Sequence, residues 1–110
     1  MRVSVQAGPR DLASLRVLAV TVEEAGFDAL YVADHPGSAP APFVALAAAA
    51  SVTRRIRLGT CVCNAGMWEP LQLAMQVATL DKVSAGRARL GVGAGHTPQE
   101  WTATGRSFPS

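Results

Sequence analysis

The chain has 110 residues, 49% of them hydrophobic and 16% charged, with a formal net charge of +2. That length suits one small domain with a core, and the composition excludes a disordered chain. So small a positive charge gives no footprint for nucleic acid. Val3 to Ala7 reads as a first strand. Asp11 to Ala25 follows with Leu12, Leu15, Val17, Leu18, Ala19 and Val22 on a helical period, and Gly26 closes it. Phe27 to Ala33 is a second strand, Pro42 to Val52 a short Ala-rich helix, and Ile56 to Cys63 a third strand. Pro70 to Ser84 carries Leu71, Leu73, Ala74, Val77, Ala78, Leu80 and Val83, with Pro70 suited to a first helical turn. Gly86 ends that helix, and Arg87 to Val92 is a fourth strand. The tail "TATGRSFPS" reads as loop.

Four strands alternating with three helices predict an α/β fold of parallel strands joined by right-handed crossovers. There is no linker, no low-complexity tract and no sequence repeat strong enough to argue duplication. Helices all on one side would leave the other sheet face bare, whereas parallel sheets ordinarily bury both. The sheet is therefore either doubly wound or half of a larger one. The expected compartment is the cytoplasm. No secretory signal is visible, and the longest apolar stretch, Ala39 to Val52, holds two prolines and is too short for a bilayer. Cys61 and Cys63 lie two apart on one strand, so they should point the same way and not bridge. Arg54, Arg55 and Arg57 read as a solvated helix end.

"LYVADHPGSAPAP" sets the functional question, because an apolar run ends abruptly in Asp34 and His35. Turn chemistry explains such a pair. So does a reaction site at the carboxyl end of a parallel strand, where sheets and barrels place ligands. The other strand ends are Gln6–Ala7, then Cys61 to Asn64, then Gly93, Ala94, Gly95 and His96. Every histidine and cysteine thus converges on one rim.

Three chemistries could use that rim. Cys61, Cys63, His35 and His96 are zinc-type ligands, but Cys-x-Cys on one strand lacks the looped spacing of zinc sites, and no metal is expected. Gly91, Gly93 and Gly95 alternate, which is not the dinucleotide fingerprint and equally suits tight strand packing. A planar redox cofactor across the rim, with His35 or His96 moving a proton, is the third. Trp68, Trp101, Met67 and Met75 read as packing residues, and Arg87 as a structural contact near the opposite rim.

"EEAGFDALYVADHP", "RRIRLGTCVCN", "ATLDKVSAGRARLGVGAG" and the later "E…G" resemble the amino-terminal part of the bacterial-luciferase-like monooxygenase superfamily, nearest its deazaflavin (F420)-dependent branch. The resemblance spans all 110 residues and implies the first four strands and three helices of a TIM (β/α)₈ barrel. It also implies an oxidoreductase moving a hydride between F420 and a small organic substrate of unknown identity. FMN-dependent monooxygenase chemistry is the alternative, and a truncated, catalytically silent assembly piece is the rival from another class.

By the same resemblance, His35 is the proton-transfer residue and Asp34 orients it or lines the cofactor. Cys61–Val62 falls at a non-proline cis peptide backing the ring, Asn64 at the ring's polar edge, and Gly93, Ala94 and Gly95 at a glycine-rich strand end. His96 stands where some relatives carry a glutamate acid/base, and is the second candidate. Some relatives place a tryptophan four residues after the histidine. Ala39 stands there instead, so their substrate class does not carry over. Relatives hold the cofactor's phosphate largely with the later half of the barrel. The expectation is therefore a chain inactive alone, which self-associates or pairs with a carboxyl-terminal half.

Overall fold

The computed structural model describes residues 1–8 and 11–110, and Leu12's side chain lies outside the description. The elements are β1 (Ser4–Ala7), α1 (Leu12–Glu24), β2 (Ala29–Val32), α2 (Pro42–Ala50), β3 (Arg57–Asn64), a 3₁₀ turn (Ala65–Met67), α3 (Pro70–Val83), β4 (Ala88–Gly93) and α4 (Pro98–Ala103). All four strands and three long helices fall where hydrophobic periodicity predicts them. Their ends differ by up to two residues, and Val3 lies outside β1. The six-residue α4 is not among the predicted elements, and only its last two residues fall in the tail read as loop.

Local chemistry sets the boundaries. Asp11 caps α1, accepting from the Ser14 backbone N–H at 2.7 Å. This bond and the Ser14 hydroxyl hold the Asp11 carboxyl below its ordinary range. Gly26 ends α1 at φ +84°, a conformation that a Cβ disfavours. Proline occupies the first turn of α2, α3 and α4, where its missing N–H costs no hydrogen bond.

The sheet is fully parallel in the order β1-β2-β3-β4, so it has the consecutive order of a barrel and not a doubly wound one. Register aligns Val5, Leu30, Leu58 and Ala88 in one row and Gln6, Tyr31, Gly59 and Arg89 in the next. Alternation sends the two rows to opposite faces. The first row joins Leu15, Ala19, Phe43, Leu46, Ala49 and Leu80 in the core beneath α1, α2 and α3. α1 packs on α2 and α2 on α3, all on that face. This is the architecture of the amino-terminal half of a TIM-barrel-like fold.

The core fades along β4 beyond Ala88, with Leu90 and Val92 43% and 56% exposed. Met75, expected to fill the core, is 59% exposed, because its position on α3 faces away from the sheet and from α2. Among the described residues no helix is long and apolar enough to cross a membrane.

Candidate functional site

The carboxyl ends of the strands are knitted together by Asp34, which is only 4% exposed. Its Oδ2 accepts from the Asn64 backbone N–H at 3.0 Å, the Trp68 indole N–H at 2.8 Å and the Cys63 thiol at 3.5 Å. Asn64 returns a bond from its side-chain N–H₂ to the Asp34 carbonyl at 2.6 Å. A carboxylate with no cationic partner among the described residues is thereby satisfied by three donors. Burial, with the neighbouring Asp34 charge, pushes the Cys63 thiol up to about 12. Asp34 and Asn64 are spent on each other and on β3, and support the rim from beneath.

His35, next in sequence, turns the other way. Its side chain is 46% exposed, and Nδ1 donates to Glu100 Oε1 at 2.7 Å. An ionised carboxylate only accepts hydrogen bonds, which assigns the proton to Nδ1. Glu100 stands in the first turn of α4, and its Oε2 also accepts from the Asn64 amide at 3.5 Å. It is Glu100, and not Asp34, that meets the His35 ring. Sequence reasoning assigned Glu100 no role at the site. The available signal was "TPQEW", a proline-started turn with an acid beside a buried aromatic, directly after the glycine-rich strand end.

Trp101 anchors that turn. It is buried, donates its indole N–H to the Gly95 carbonyl at 3.3 Å and stacks edge-on to Phe108. Gly66 and Gly95 make room for it: a Cβ at Gly95 would lie 2.8 Å from the Met67 methyl and 3.1 Å from the indole nitrogen. Gly95 also has φ +84°, so this position is closed to other residues on two grounds. Trp68 packs edge-on against Phe43.

β3 departs from regular alternation between Thr60 and Cys63, where its pairing with β4 shifts register. The Cys61–Val62 peptide is cis. With the register shift between them, Cys61 is exposed and Cys63 fully buried, so the two thiols do not share the one environment that simple alternation predicts. The Cys61 carbonyl accepts from the Gln6 amide at 2.7 Å, tying β3 to β1 on the open face. Val62 is 40% exposed, and a Cβ at Gly93 would lie 2.7 Å from its Cγ2, so Gly93 leaves that side chain its space.

Ala94 and Gly95 continue from β4 at the same rim, and His96 follows, exposed. The structure thus brings Asp34, His35, Asn64 and Gly95 together around Glu100 and Trp101. Among the described residues no three His, Cys, Asp or Glu side chains gather as a metal site requires. A groove lined by Arg2, Glu23, Asp28, Arg55 and Arg57 lies at the opposite rim, where Asp28 meets Arg57 at 3.2 Å.

A flat tricyclic cofactor needs an apolar support and a proton-handling group at its edge. Exposed Val62 and the His35 imidazole fit that need. Asp34 and Asn64 fit as holders of the backbone beneath it.

Known proteins share this fold. Residues 1–110 match the family model described as luciferase-like monooxygenase. The chain is 42% identical over 103 residues to F420-dependent glucose-6-phosphate dehydrogenase of Beutenbergia cavernae, covering 86% of this chain and 30% of that protein. Monooxygenase RslO1 of Streptomyces bottropensis superposes with TM-score 0.89 at 32% identity, over 98% of this chain and 37% of that one. An F420-dependent secondary alcohol dehydrogenase, solved with an F420–acetone adduct, superposes with TM-score 0.84 at 28% identity, over 99% and 36%. The chain spans about a third of the length of these relatives. It belongs to the luciferase-like monooxygenase family.

Proposed function

We propose that residues 1–110 form the proton-handling rim of an F420-dependent oxidoreductase acting on a small organic substrate. The observation that carries this is the exposed His35 imidazole, held through Nδ1 by Glu100, with no partner for Nε2 among the described residues. Similarity to an F420-dependent dehydrogenase supports the choice of cofactor. F420, when bound, supplies the hydride chemistry. His35 takes or returns the substrate proton, the role a positioned imidazole plays in general acid–base chemistry. Asp34 and Asn64 hold the β2 and β3 ends in register, and Val62, Cys61 and the Gly93–Gly95 segment form the support for the ring. His96 is the second candidate for proton transfer.

Further cover completes the site in this reading. Leu90 and Val92 on β4 and the open sheet face need it, from additional (βα) units or from a second copy of the chain. Contacts to the cofactor's phosphate are assigned to that cover. The expected result is that the 110-residue chain binds F420 weakly and does not turn over alone.

A second reading is an FMN-dependent monooxygenase, whose oxygenase part is supported by the similarity to the monooxygenase RslO1. Parallel absorbance titrations with F420 and FMN discriminate. Preference for F420 supports the proposal, and preference for FMN with dioxygen consumption replaces it. Binding of neither, in the chain or its assembled form, makes it a silent assembly piece.

A further inference from the structure

We infer that Glu100 is a positioning residue that fixes His35 as its Nδ1–H tautomer, with Nε2 reserved for the proton at the rim. This rests on the reading of His35 as the proton-handling group, and adds the device that selects which ring nitrogen works.

Two histidines stand at this rim, and their surroundings differ. His96 is exposed and makes no side-chain hydrogen bond among the described residues, so its ring is free to adopt either tautomer. His35 is held. Its Nδ1 lies 2.7 Å from Glu100 Oε1, and the Glu100 side chain is only 12% exposed. A carboxylate so placed loses solvent that would otherwise compete for its lone pairs, which strengthens the bond to the ring.

Glu100 is itself braced. Its Oε2 faces the Asn64 amide at 3.5 Å, and that amide is bonded to the Asp34 carbonyl at 2.6 Å. A closed circuit therefore runs from Asp34 through Asn64 and Glu100 to His35 and back along one peptide bond. The neighbouring Trp101, packed under Gly66 and Gly95, keeps α4 from sliding along the rim. The acid is thus positioned by an apolar anchor one residue away.

The consequence is chemical. A neutral imidazole has one N–H and one lone pair, and only the nitrogen with the lone pair can act as base. A free ring in water favours the Nε2–H form, which would face the rim with the wrong atom. A charge-assisted bond at Nδ1 should favour the other form by roughly tenfold or more. Orientation by a second carboxylate-held nitrogen is a general way to prepare a histidine for work at its first.

The test needs no cofactor. Long-range proton–nitrogen correlation spectra of the ¹⁵N-histidine chain, at a pH where imidazoles are neutral, report each tautomer directly. A His96→Gln variant assigns the two rings. The expected result is a predominantly Nδ1–H His35 in the native chain, beside a His96 of ordinary pattern. Glu100→Leu should return His35 to the ordinary pattern, about a tenfold shift in tautomer ratio. Glu100→Gln, whose carbonyl oxygen still accepts, should retain the Nδ1–H form. A native His35 that is mainly Nε2–H overturns the inference, whether or not any variant folds. An unchanged pattern in Glu100→Leu overturns it too. Failure to bind F420 counts against the proposed function alone, because the tautomer is read separately.

Discussion

The two rims of this sheet solve the same problem with different ends in view. At the amino rim, Arg87 donates five hydrogen bonds: to the carbonyls of Ala50, Thr53, Ile56 and Ser84 and to the Thr53 hydroxyl. These tie the ends of α2 and α3 to the start of β3, at the negative end of the α2 dipole. Glu23 accepts from the backbone N–H groups of Arg54, Arg55 and Ile56 at 2.7–3.1 Å. At the carboxyl rim, Asp34 does equivalent work on β3 and Trp68, but the adjoining His35 stays open. One rim commits Arg87 and Glu23 to the backbone. The other uses Asp34 for support and Glu100 to hold a titratable ring over it.

This contrast is broken most strongly at Asp34, which lies at the reactive rim yet behaves like a residue of the other. Asp34→Ala leaves the Asn64 backbone N–H and the Trp68 indole without an acceptor, and should cost about 3 kcal/mol or more. On the proposed function, turnover by the assembled protein should fall with it. Urea unfolding beside F420-linked turnover tests this, and stability within about 0.5 kcal/mol of the parent would refute the supporting role.

His35→Gln should separate the two properties. Turnover is expected to drop by roughly 10²–10⁴-fold with unfolding little changed, because Gln can still donate to Glu100. Equal losses of both would make His35 structural.

Arg87→Ala is the mirror image. It strands several buried carbonyls and should cost about 3 kcal/mol, with turnover per folded molecule retained. Arg87→Lys should recover little, since an ammonium cannot span the fork-shaped set of acceptors.

The smallest effect is expected from Glu23→Gln. Burial pushes the Glu23 carboxyl up, but the amides of Ile56, Arg55 and Arg54 and the Arg55 charge outweigh it and leave it below the ordinary range. A carboxyl lowered on folding stabilises above its unfolded value, and the benefit disappears as pH falls through the folded one. The variant should therefore be less stable than the parent at neutral pH. The gap should close on acidification, which denaturant midpoints across pH would reveal.

Much of this was legible in the chain because it is local. Apolar residues at helical spacing, Pro at helix starts and Gly26 or Gly86 at helix ends identify the three long helices, and the alternation of elements implies parallel strands. The shared rim follows from that topology. What was hidden is what distance in sequence hides. Glu100 lies 65 residues from His35, and no periodicity links them. α4 is too short for a hydrophobic pattern to register. The opposite fates of Cys61 and Cys63 depend on a register shift that an alternating pattern assumes away. Asp34 shows a different gap. The sequence marks the residue, but whether its carboxylate points at a ligand or under a strand is decided by Asn64 and Trp68.

The consecutive order of strands, with each helix seated on the next, has a bearing on how the chain acquires its shape. Contacts run mainly between sequence neighbours, so loop-closure costs stay modest at each addition. Such an arrangement can grow as it leaves the ribosome, one (βα) unit docking on the last without waiting for a distant partner. Each unit then serves as template for its successor, in the manner of stacked-repeat proteins. The residues that cross this grain are few. Gln6 reaches over β2 to the Cys61 carbonyl, and Glu100 reaches back to His35. In a chain built by accretion, these long reaches would form late, so the His35–Glu100 contact would be among the last features to set.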